Sequence, residues 1–107
     1  MATATVDNQL EKLVERLGKL RTATPVTDPD YPKIVDQYKT ASDALAKAID
    51  KAIDDSDTDY VSFSKSASDA IQAINDALSD INKLADSIKK VAELIDIIGK
   101  VVVKLVA

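Results

Sequence analysis

The chain has 107 residues, a formal net charge of −4, and neither histidine, cysteine nor tryptophan. Without histidine and cysteine the commonest general base, the commonest metal ligand and the most nucleophilic side chain are missing, and disulfides cannot form. The fourteen basic residues are scattered among eighteen acidic ones, which argues against the basic stripe that a nucleic-acid partner requires.

Hydrophobic residues make up 46% of the chain, with only two glycines and three prolines; this composition fits an ordered, helix-rich single domain. The opening stretch MATATVDNQLEKL has no basic n-region followed by an apolar h-region, so no secretory leader is expected. No run approaches about 18 uncharged apolar residues, which argues against a membrane-spanning helix. A cytoplasmic location is the default expectation, with export by a leaderless route left open.

In chain order, Val6, Leu10, Leu13, Leu17 and Leu20 alternate gaps of four and three and predict a helix over about residues 5–22 with one apolar seam. Thr5 stands where an N-cap belongs, and Glu15 and Lys19 form a favourable i,i+4 pair on the opposite face. Pro25, Pro29 and Pro32, with Thr27, Asp28 and Asp30 between them, break the helix, and residues 23–30 read as a proline-rich linker.

A second helix is expected over about residues 31–54, capped by Asp28 or Asp30. Its seam reads Tyr31, Val35, Tyr38, Ser42, Leu45, Ile49 and Ala52, flanked by Ile34, Ala41, Ala48 and Ile53. The run DDSDTD, residues 54–59, is an acidic turn whose last members can cap the next helix.

From about residue 58 to 106 there is no proline, and Ala67, Ile71, Ile74, Leu78, Ile81, Ala85, Ile88, Ala92 and Ile95 keep the four–three spacing. The simplest reading is one helix over 58–106, roughly 70 Å long at 1.5 Å per residue. Asn75, Ser79, Asp80, Asn82 and Ser87 are mediocre helix formers, so a break near residues 75–88 is the alternative. The fold expected is therefore an all-α, three-helix antiparallel bundle with a long C-terminal helix, or a four-helix up-down bundle if that helix breaks.

The first two helices can cover only half of a continuous third. Its other half, VAELIDIIGKVVVKLVA, confines Glu93, Asp96, Lys100 and Lys104 to an arc of about 80° at 100° per residue. The remaining surface is greasy and needs a partner. Val91, Leu94, Ile95, Ile98, Val101, Val102 and Leu105 are the expected contact face. It would meet a second copy or a helical protein partner; a membrane interface is a less favoured alternative.

Chemistry finds little to work with. Asp55, Asp57 and Asp59 alternate as a calcium loop begins, but Tyr60 stands where that loop needs glycine and Ser66 where it needs a bidentate glutamate. The serines at seam positions, Ser42 and Ser64, have no histidine to activate them. Neither a catalytic residue, a cofactor nor a metal is expected. In outline, a helix, a proline-rich bend and a longer helix resemble small secreted helical hairpins such as secretion-needle subunits. The apolar C-terminal helix is similar to components of α-helical pore-forming toxins. Neither likeness rests on a motif, so no residue role follows from it. The function expected is a non-enzymatic interaction or scaffolding module acting through the C-terminal helix, with a membrane-active component as the rival.

Overall fold

The computed structural model describes residues 3–106. Four helices, α1 (Asp7–Ala23), α2 (Tyr31–Ala48), α3 (Thr58–Ser79) and α4 (Leu84–Val106), form a bundle 47 Å long. A two-residue ladder, β1 (Thr3–Ala4) against β2 (Ile53–Asp54), closes one end. The all-α class is as expected; the helix count is four, because the long C-terminal helix is broken.

The break falls at Asp80, whose backbone is extended (φ −147°, ψ 108°), followed by a single 3-10 turn over Ile81–Lys83. Asp80 ends α3 and starts the turn. Its carboxylate accepts from the Asn82 N–H at 3.0 Å, and short polar side chains of this kind compete with the helical hydrogen-bond ladder. The larger cause is burial. Folding back encloses Leu84, Val91, Leu94, Ile98 and Val101, at about 2 kcal/mol for each large side chain. The helix-end groups left to other partners or water cost about 1 kcal/mol apiece, and some are met locally, the Asp80 N–H donating to the Asp76 carbonyl and the Lys83 N–H to the Asp80 carbonyl.

α1 packs on α2 and α3, and α4 on α3 and α2, while the two diagonal pairs barely touch. The connection from α2 to α3 therefore crosses the bundle end diagonally, and it carries β2. The antiparallel ladder, with Thr3 opposite Asp54 and Ala4 opposite Ile53, ties that crossing to the start of α1. Val6 and Ile53 are buried beneath it.

The seam of α1 lies where the leucine spacing put it: Leu10, Leu13, Leu17 and Leu20 are buried, and Glu15 and Lys19 pair at 3.6 Å on the wet face. The helix starts one step later than expected, with Val6 rather than Thr5 at the N-cap, and no side chain caps it. The linker to α2 is a tight polar turn: Asp28 accepts from the Asp30 N–H at 2.8 Å and Asp30 is the N-cap residue of α2.

α2 departs from expectation twice. It stops at Ala48, and the chain turns at Asp50, which sits in the left-handed region at φ 61°, a conformation aspartate tolerates better than most residues. Its buried stripe is Ile34, Gln37, Ala41, Ala44 and Ala48, the row flanking the expected seam. Gln37 disguised that row as polar, yet its Nε2 donates to the Ile88 carbonyl at 2.9 Å. Tyr38 meanwhile lies across α1: its Cε2 would stand 3.3 Å from a Cβ on Gly18, and the Arg21 guanidinium sits 5.0 Å above its ring. The missing side chain of Gly18 is thus filled by an aromatic edge from the same molecule.

Candidate interaction surface

α4 carries two apolar stripes. The inner one, Leu84, Ser87, Val91, Leu94, Ile98 and Val101, is buried and keeps gaps of three and four. The buried Ser87 hydroxyl donates to the Leu84 carbonyl at 2.7 Å. The outer one, Ala85, Ile88, Ala92, Ile95, Gly99 and Val102, continued backward by Ile81 of the preceding 3-10 turn, keeps gaps of four and three and lies roughly 100° around the helix. Its members are half-buried or exposed, Ile81 at 53%, and Val103 beside it is 65% exposed.

The expected contact face therefore divides, which corrects the sequence reading. Val91, Leu94, Ile98 and Val101 belong to the chain's own core, because α4 folds back over α3 and α2. Ile95, Val102 and Leu105 are only partly covered. The first four already have their cover within the chain; Ile95, Val102 and Leu105 keep part of their apolar surface outside the core.

Ile95, Gly99, Val102 and Val103 form one wall and the floor of a groove of about 420 Å³ against Thr40, Asp43, Ala44 and Lys47 of α2. The helices that make it run parallel: Gln37 meets Ile88 near one end, and residues 40–47 lie along 95–103 further on. Gly99 faces open space here, with nothing within 4 Å of the position its Cβ would take. The two glycines contrast directly, one filled by Tyr38 and the other unfilled.

Two other clefts, of about 300 Å³ between α3 and α4 and about 350 Å³ between α1 and α3, are lined mainly by polar residues such as Ser62, Ser66 and Lys90 or Gln9, Ser64 and Gln72. No histidine or cysteine stands in either to activate a serine hydroxyl.

The acidic turn is occupied by structural tasks. Asp57 caps α3 by accepting from the Asp59 and Tyr60 N–H groups at 2.9 and 3.2 Å. Lys104, near the end of α4, reaches across to Asp57 at 2.8 Å and Asp59 at 2.8 Å. The hydrogen bond from Lys104 is the main reason the Asp57 carboxyl is held below the usual range. The Asp57 and Asp59 carboxylates in turn raise the Lys104 ammonium. Asp54 is lowered by the Ser56 N–H and hydroxyl, which donate to it at 2.9 and 2.8 Å. Among the described residues no group of three or more acidic side chains is arranged to hold a metal ion.

Sequence reasoning missed Gly99, Val103, Thr40, Asp43 and Lys47 as surface. The four–three spacing through Ile81–Ile95 marks the outer stripe, but it reads as one continuous helix and does not separate Ile95 and Val102 from the core-facing Val91, Leu94, Ile98 and Val101. No family model matches the chain, and no curated protein or solved structure matches it at a significant level.

Proposed function

We propose that this chain is a non-enzymatic helical interaction module that takes a partner helix into the groove between α2 and α4. The supporting observation is the second apolar stripe of α4, which alternates Ile88, Ile95 and Val102 with Ala85, Ala92 and Gly99. Large residues beside small ones at heptad spacing let another helix approach closely, and such a groove is read by side chains at i, i+3, i+4 and i+7. The absence of histidine and cysteine, together with aspartates engaged in capping and ion pairing, supports a role without catalysis.

The membrane-active rival has less to draw on. No helix among the described residues is long and apolar enough to cross a membrane, and the inner stripe of α4 would have to leave the core before a broad apolar face met lipid.

A synthetic amphipathic peptide with leucine–alanine heptads is the probe. Titrated into isotopically labelled protein, it should shift the amide resonances of residues 40–47 and 92–103, and Val103→Asp should abolish the shifts without loss of helicity. Shifts confined to the polar clefts, or none at millimolar peptide, would overturn the docking reading.

A further inference from the structure

We infer that the occupant of the α2–α4 groove is a second copy of this chain, docked antiparallel about a two-fold axis. The inference rests on the docking reading above and adds the partner's identity.

Charge is arranged in matching pairs on the two helices that form the groove: Asp43 and Lys47 line it, and Asp96 and Lys100 stand exposed on α4 beside it. α2 carries Asp43 and, one turn on, Lys47; α4 carries Asp96 and, one turn on, Lys100, and all four are exposed. The two helices are parallel and in register, since the Gln37–Ile88 hydrogen bond and the shared lining match the level of residue 45 with that of about 96–98. Both Asp–Lys pairs are therefore centred at one height in the bundle, with an acidic layer on the N-terminal side and a basic layer one turn, about 6 Å, further along.

A copy docked in parallel would set acid against acid and base against base. A copy rotated by a two-fold axis through the middle of the two layers sets Asp43 opposite Lys47 and Asp96 opposite Lys100, with each contact made twice. An isologous interface demands this self-complementarity, and opposed charge layers fix orientation as well as attraction. Gly99 lies between the layers, with Ala92 and Ile95 before the acidic one and Val103 beyond the basic one. Ala92 and Val103 fall symmetrically about the same height as the charges, and the open space at Gly99 gives the partner helix room. The cleft between α3 and α4 also pairs opposite charges, Lys65 with Asp69 and Lys90 with Glu93, but like the one between α1 and α3 it is lined mainly by polar residues and lacks the apolar floor of the α2–α4 groove.

Sedimentation equilibrium of the full chain tests this at low and high salt. The expected result is a monomer–dimer equilibrium that weakens as sodium chloride rises, because opposite charges face each other. D43K/D96K and K47D/K100D should each dimerise at least about tenfold more weakly than the parent, and their equimolar mixture should recover a dimer. Circular dichroism on each variant checks that the helices persist. A parent that is monomeric at every concentration, a dimer that tightens with salt, or one indifferent to both sets of substitutions overturns the inference. A monomer that still takes the heptad peptide in this groove removes only the second copy as occupant; a monomer that takes none removes the docking reading too.

Discussion

α1 and α4 are both amphipathic, 17 and 23 residues long, and they solve burial differently. α1 has one stripe of four leucines, all enclosed, and turns Glu11, Lys12, Glu15 and Lys19 to solvent. α4 has two stripes, and the bundle has room for only one. A single stripe makes a helix a structural element and nothing else; a second one, left outside, is surface available for recognition.

The sharpest way to break this comparison is to truncate the inner stripe. Leu94→Ala should lose about 2–5 kcal/mol, as should Leu17→Ala in α1, measured as a shift in the midpoint of urea denaturation. A harmless Leu94→Ala would mean that α4 does not close onto its own bundle.

Asp57→Ala comes next. It removes the α3 N-cap, worth about 0.5–2 kcal/mol, and frees Lys104 at the other stripe-bearing end. The same contact has a pH signature. Asp57 is held below its unfolded value, so its contribution is present above about pH 4 and fades as the pH falls through the lowered value. Lys104 is raised, so its contribution is present below about pH 10.4 and fades as the pH climbs through the raised one. Thermal unfolding against pH should therefore show a plateau between those limits, and Lys104→Met should flatten both shoulders.

The glycines sharpen the comparison with a smaller effect of mixed sign. Gly99→Ala meets open space and should stabilise the fold by about 1 kcal/mol through helix propensity. Gly18→Ala gains the same propensity but crowds the Tyr38 ring at 3.3 Å, so its net change should be smaller or unfavourable. Equal gains at both positions would show that Tyr38 does not rest on Gly18. Smallest of all, Val103→Ser on the outer face, measured at a concentration where the chain is monomeric, should leave the unfolding midpoint within about 0.5 kcal/mol; a larger loss there would place Val103 in the core.

How far the fold could be read from the residues varied with the helix. Leu10, Leu13, Leu17 and Leu20 identified α1 because no second stripe competed with them. In α2 the buried amide of Gln37 broke the apolar pattern, so the row beginning at Ile34 looked like a flank. Past Ser79 the spacing from Ala67 to Ile95 ran on without interruption, since the outer stripe of α4 happens to extend the core stripe of α3. Periodicity reports that a face is apolar; it does not report whether that face points in. The Asp80 capping side chain carried the competing signal, and the alternative break near residues 75–88 was its correct reading. The ladder at residues 3–4 and 53–54 is too short for strand alternation to register, and the groove residues on α2 became recognisable only once α4 lay beside them.

The bend at Asp80 contains neither glycine nor proline, so no backbone rule forbids α3 and α4 from running straight through it. In a straightened chain the inner stripe of α4 would be free to close onto a neighbour's α2 and α3 in place of its own. Such reciprocal arm exchange leaves every native contact intact apart from the bend. Refolding at high protein concentration should therefore trap some molecules as interlocked pairs that part only on unfolding.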